Sequence, residues 1–211
     1  VIRLVVADDQ AILRSGLVAL LSLESDVEVV GEAVDGAGTL AAVAEHRPDV
    51  LLLDVQMPAG TTADGESGPR DGIAVAETLR GTERAPRIIV LTTFGRAGYL
   101  RRTMEAGAAG FMVKDTPVER LVDAIRRVHQ GLRVVDPELA AQSLSVGASP
   151  LTLKETEVLQ VAAAGGATAH IARTLFLSEG TVRNHISSAI GKLGVTSRAE
   201  AVMSASENGW I

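Results

Sequence analysis

The chain has 211 residues, 46% of them apolar, a formal net charge of −6 and no cysteine. This is enough apolar content for one medium or two small folded cores. It excludes a disulfide framework, a thiolate metal site and a thiol nucleophile, and it argues against general affinity for nucleic acid or anionic membranes over the whole surface.

The acid excess is uneven. Residues 1–149 carry 15 Lys/Arg against 21 Asp/Glu, and the remainder carries five of each. The opening "VIRLVVADD" is an apolar run closed by two acids, far shorter than a membrane span, so a cytoplasmic protein without a membrane segment is expected. After "IRLVVAD", Leu13, Leu17, Leu20 and Leu21 share one face of a predicted helix. The runs "VEVVGEA", "VLLLD", "RIIVLTT" and "GFMVKD" follow, separated by further amphipathic stretches. Apolar runs without polar alternation predict strands covered on both faces, hence a parallel sheet. In the last helix of this part Leu121, Ile125 and Val128 align behind a Thr116 cap, with Pro117 at the first helical position. Five βα units over residues 1–131 predict an α/β domain, a doubly wound five-stranded parallel sheet.

Gly131, Pro137, Gly147 and Pro150 then break the rhythm, and residues 132–149 read as a linker with room for one short helix. From Leu151 onward only short helical patterns remain, which predicts a small all-α domain over 150–211.

In a doubly wound sheet functional groups gather at the carboxyl ends of the strands. That rule selects Asp8 and Asp9 after the first strand, Asp54 after the third, Thr92 and Thr93 after the fourth, and Lys114 after the fifth. Clustered carboxylates repel unless a cation joins them, and oxygen ligands with retained water suit Mg²⁺. A metal-assisted phosphoryl site is the natural reading.

With "VVADDQ", "LLLDVQMP", "VLTT" and "GAAGFMVKD" in place, residues 1–131 resemble the flavodoxin-like receiver domains of bacterial response regulators. The resemblance implies that Asp54 accepts a phosphoryl group from a sensor histidine kinase. Asp9 would bind Mg²⁺ directly and Asp8 through water, with Asp54 and the Gln56 carbonyl completing the ligands. Lys114 and the Thr92 hydroxyl would meet the phosphoryl oxygens, and Phe111 takes the switch-aromatic position, where a plain core aromatic is the competing reading. Between Met57-Pro58 and Asp71-Gly72 stand twelve residues, Ala59 to Arg70, more than receivers ordinarily place there. Their Gly, Thr and Ser content suggests a mobile excursion beside the acceptor.

"LTLKETEVLQVAAAGGATAHIARTLFLSEGTVRNHISSAIGKLGV" resembles the LuxR-type helix-turn-helix, which together with the receiver implies a NarL/FixJ-type two-component regulator; "LTTFGRAGYLRRTMEAGAAGFMVKD" and "SENGW" look closest to the DesR-like branch. Ser178 suits an N-cap for a helix whose Val182, Ile186, Ala189, Ile190 and Leu193 share a face. The opposite side, with Arg183, Asn184, His185, Ser187, Ser188 and Lys192, is expected to enter a major groove of double-stranded DNA. A charge-neutral reader should bind weakly alone, so a homodimer formed on phosphorylation is expected. Two other readings stand beside this one. A haloacid-dehalogenase phosphatase would need a second Asp two positions after the nucleophile, where Gln56 stands, so no enzyme is expected. A receiver controlled by ligand or protein binding independently of phosphorylation would be favoured by loss of the acids or of Lys114, and all are present.

Overall fold

The computed structural model describes residues 1–93, 97–137, 139–141 and 149–211. The chain divides into two compact units, residues 1–95 with 102–140, and 96–101 with 141–211.

The first unit is built on β1 (Ile2–Ala7), β2 (Val27–Ala33), β3 (Val50–Asp54), β4 (Arg87–Thr92), β5 (Gly110–Val113) and β6 (Val134–Val135). Every pairing is parallel and the order is β2-β1-β3-β4-β5-β6. All five β3 residues are buried, as a strand covered on both faces demands. Helices α1 (Ala11–Leu21), α2 (Gly36–His46), α3 (Gly72–Arg80), α4 (Ala97–Glu105) and α5 (Val118–His129) fill the crossovers. One core joins Leu4, Val6, Leu52, Ile89 and Leu91 of the sheet to Leu121, Ile125 and Val128 of α5.

Three local expectations differ from what is observed. The sheet has six strands rather than five: Gly131, at φ +93°, turns the chain after α5, and the Val134 amide then donates to the Ala109 carbonyl at 2.9 Å, so the segment read as linker begins with an edge strand. Residues 142–148 of that segment lie outside the described residues. Helix α5 starts at Val118 with Pro117 at the N-cap and no side-chain cap, so Thr116 does not cap it. On α1 only Leu21 is fully buried, and Leu20 is exposed.

The Ala59–Arg70 insertion is a docked hairpin. Thr61 bridges Ser67, the Thr62 amide donates to the Glu66 carbonyl, and Gly65 turns the tip at φ +83°. Its flanks close on α2, whose first amides, Gly36 and Ala37, donate to the Pro58 and Ala59 carbonyls at 2.8 Å each, while Asp35 caps Gly38. These are orphan donors of a helix start, satisfied by the inserted chain. The approach needs glycine: a Cβ on Gly36 would lie 2.3 Å from the Pro69 carbonyl oxygen, and one on Gly68 would lie 2.2 Å from that of Ala59. The glycine content that suggested mobility instead permits close packing.

The second unit contains α6 (Leu153–Ala163), α7 (Thr168–Thr174), α8 (Glu179–Leu193) and α9 (Arg198–Glu207). Ser178 caps α8 by accepting from the Thr181 amide, and Gly194, in the left-handed region, ends it. Val158 and Ala162 of α6, Ile171 and Ala172 of α7, and Val182 and Ile186 of α8 form one cluster; Leu159, Ala189, Ala201, Ala205 and Ile211 form a second.

Candidate functional site

Because every strand is parallel, the carboxyl ends of β1, β3, β4 and β5 open on one side of the sheet. The strand order reverses there between β1 and β3, the point at which such sheets form a crevice. Asp8 follows β1 and Asp54 ends β3, each at most 2% exposed, and Asp9 is exposed beside them. One oxygen from each of the three carboxylates can be chosen so that all lie within 4.8 Å of one another. The Lys114 ammonium reaches in from the end of β5, 2.7 Å from Asp8 Oδ2 and 2.8 Å from Asp54 Oδ2. Only the contact to Asp54 has hydrogen-bond geometry, so Asp8 Oδ2 is buried without a directed donor. The other oxygens are held by the backbone: the Gln10 amide donates to Asp8 Oδ1 at 2.9 Å and the Gln56 amide to Asp54 Oδ1 at 3.2 Å. Thr92 closes β4, 2% exposed, in register with Val113, and its carbonyl accepts from the Lys114 amide.

Burial pushes the Asp54 carboxyl above its ordinary range, further than Lys114 and the Gln56 amide pull it down. Burial also disfavours the Lys114 ammonium, but its close contacts with the Asp54 and Asp8 carboxylates outweigh that, and the net displacement is upward. Two buried acids thus share one buried cation, an electron-rich pocket one positive charge short of neutrality. A hard cation fits what this donor set lacks: three carboxylates converge, and one buried oxygen has no aligned donor. Phe111 is fully buried in β5.

In the helical unit, Arg183, Asn184 and Ser187 are exposed on α8 and His185 is partly so. Arg183 makes one long ion pair with Glu179, at 3.5 Å, on the same helix. Ser188 and Lys192 are exposed as well, and each also bonds inward. Both reach Glu155, a carboxylate of α6 only 4% exposed: Ser188 Oγ donates to one oxygen and Lys192 Nζ to the other, each at 2.7 Å. The Thr152 amide donates to Glu155 as well, and the Thr152 hydroxyl accepts from the Glu155 amide, completing a capping box.

Two families match this chain. The response regulator receiver domain covers residues 4–126, and the luxR family of bacterial regulatory proteins covers residues 149–205. The transcriptional regulatory protein DesR of Bacillus subtilis is 41% identical over 210 residues, spanning 100% of this chain and 99% of its own. An uncharacterised transcriptional regulatory protein of the same organism, YvfU, is 42% identical over the full length of both. The chain is a NarL/FixJ-type response regulator.

Among solved structures, the regulator resembles ChrA from a heme-sensing two-component system, with TM-score 0.57 and 33% identity over 100% of this chain and 98% of ChrA. An RcsB–DNA complex aligns with TM-score 0.67 and 26% identity over 98% of each chain. The regulator is therefore a phosphorylation-controlled, DNA-binding transcriptional regulator of a two-component system. Among its described residues, no helix is long and apolar enough to cross a membrane. Sequence reasoning overlooked the internal role of Glu155, although Thr152-Leu153-Lys154-Glu155 carries the spacing of a capping box.

Proposed function

We propose that Asp54 is the phosphoacceptor, that Asp8, Asp9, Asp54 and the Gln56 carbonyl hold Mg²⁺, and that α8 reads DNA through Arg183, Asn184, His185, Ser187, Ser188 and Lys192. The observation that carries the acceptor assignment is the Lys114 ammonium bridging Asp8 and Asp54 at 2.7 and 2.8 Å. An Asp54 oxygen attacks the phosphorus of the kinase phosphohistidine, the P–N bond breaks, and the imidazole keeps the electron pair. Lys114 then exchanges its Asp54 contact for the new phosphoryl oxygens, and Thr92, at the adjacent strand end, supplies a hydroxyl to them. Mg²⁺ when bound supplies positive charge to those oxygens. Phe111 and Thr92 form the switch pair: the hydroxyl moving toward the phosphoryl group opens space into which the ring turns.

Phosphorylation draws two chains into a homodimer, so that two charge-neutral readers engage neighbouring half-sites of double-stranded DNA together. Exposed Met203 on α9 offers a contact for the DNA-bound pair. The receiver occupies residues 1–131, a linker 132–149 and the output domain 150–211, acting in the cytoplasm with a sensor kinase as donor and no enzymatic turnover of an external substrate. The test is intact-mass analysis after a small phosphodonor with Mg²⁺: wild type gains one phosphoryl group and Asp54→Asn gains none. Undiminished labelling of that variant would place the acceptor elsewhere.

A further inference from the structure

At the opposite end of the sheet from the acidic crevice, the amino ends of β3 and β4 border a polar cavity of about 350 Å³. Arg47, Arg84, Arg87 and His129 line it. The acid on its wall, Asp49, already accepts from the Arg3 amide at 2.9 Å. Among the described residues no carboxylate lies in ion-pair range of Arg47, Arg84 or Arg87, although Arg14 and Arg126 in the same unit are both paired. In a chain of net charge −6, three exposed guanidinium groups without an ion pair, beside the single carboxylate of Asp49, leave this cavity wall net positive.

A second observation concerns the backbone. Arg47 ends α2 in the left-handed region, φ 47° and ψ 59°, its amide donating to the Val43 carbonyl. Glycine is the ordinary residue at such a helix end, because a Cβ is disfavoured there. An arginine in that place puts a guanidinium at the cavity mouth at the expense of local stability, a pattern that marks binding sites. Arg47 and Arg84 also border an adjoining cavity of about 660 Å³, walled by Leu40, Val43 and Leu79 and edged by Glu83. The two cavities share Arg47 and Arg84 on their walls, the smaller being the more cationic and the larger the more apolar.

We propose that these adjoining cavities bind a nucleoside polyphosphate across Arg47 and Arg84. The arginines take phosphate oxygens in paired N–H···O contacts, which suit a guanidinium fork better than an ammonium. The nucleoside lies along Leu40, Val43 and Leu79, with the Glu83 carboxylate as acceptor for a sugar hydroxyl or base amino group. Each cavity taken singly has a volume in the range of small-molecule sites. The site uses none of the groups at Asp54, so it stands or falls separately from the acceptor assignment.

The experiment is calorimetric titration of the full chain at physiological ionic strength with EDTA present, so that no divalent ion carries nucleotide to the acidic crevice. Probes are ADP, pyrophosphate and adenosine. ADP is expected to saturate at one per chain, pyrophosphate to bind more weakly and adenosine not to bind. Arg84→Ala and Arg87→Ala should each weaken ADP about tenfold, and Arg120→Ala, exposed on α5 and lining neither cavity, should leave it unchanged. Arg47→Gly separates binding from structure: it should weaken ADP by a similar factor while its unfolding midpoint stays level or rises by about 2–4 °C, as strain is released. Absence of saturable ADP binding, equal binding of ADP and pyrophosphate, or an Arg47→Gly variant that binds ADP as wild type would each overturn the proposal. So would displacement of ADP by duplex DNA in an Arg84-dependent manner, which would assign the cations to the DNA backbone.

Discussion

Replacing Glu155 by Gln removes one charge from the interior of the helical unit while keeping the side chain's size. In the wild type, burial pushes this carboxyl up, but Lys192, Ser188 and the Thr152 amide outweigh it and hold the group at about 2 against an ordinary 4.5. A displacement of that size corresponds to about 3 kcal/mol at neutral pH. Because the Lys192 end of the pair is 35% exposed, screening reduces this to about 2 kcal/mol. The folded group is depressed, so its stabilisation is fully present above pH 4.5 and is lost as pH falls toward 2. In Glu155→Gln the amide oxygen can still accept from Lys192 and the Thr152 amide while its nitrogen donates to the Ser188 hydroxyl, so what the variant removes is the charge that Lys192 meets. Trp210 is the single tryptophan and packs against the cluster of Leu159, Ala189, Ala201 and Ala205, so its fluorescence reports this unit within the intact chain. With a denaturant dependence near 1 kcal/mol per molar urea for a unit this small, the variant should unfold about 2 M earlier at pH 7. The gap to wild type should narrow steadily between pH 4.5 and 2. An unchanged midpoint at pH 7, or a gap independent of pH, would refute the reasoning.

Four further outcomes are expected. Asp9→Ala should lose most Mg²⁺ affinity by calorimetry, because the remaining carboxylates are already shared with Lys114; retention of wild-type affinity would place the ion elsewhere. Gly36→Ala should displace the inserted hairpin from α2, lower thermal stability by about 1–3 kcal/mol and open the hairpin to proteolysis; a midpoint equal to wild type would mean the hairpin contributes nothing there. Arg183→Ala should cost about 1–3 kcal/mol of operator affinity and relax preference at one base pair, read by gel shift against single-base variants. Lys192→Ala should lower the Trp210 unfolding midpoint as well as DNA affinity, and a loss of DNA affinity alone would show that its main contact is phosphate and not Glu155.

The succession of elements was legible in the sequence because it depends on local periodicity. Unbroken apolar runs such as Leu51–Leu53 must be covered on two faces, and residues spaced like Leu121, Ile125 and Val128 must share one side of a helix. The acidic crevice was legible for the same reason, since parallel strands carry their terminal residues to one edge whatever their separation in the chain. Side-chain pairing across that edge was not. That Lys114 touches Asp8 and Asp54 while Asp9 stays exposed depends on register between β1, β3 and β5, which no single segment encodes. The short strand at Val134–Val135 escaped notice because two residues carry no period, and it forms only because β5 offers a free edge. The hairpin at 59–70 looked loose because glycine marks both flexibility and close approach, and only the neighbouring start of α2 decides between them. Helix periodicity says which side of α8 Lys192 and Ser188 occupy, but not that both also bond Glu155. That a buried carboxylate 33 residues earlier claims the serine is a property of α6 and α8 packed together, where one charge out of water must recruit every donor within reach.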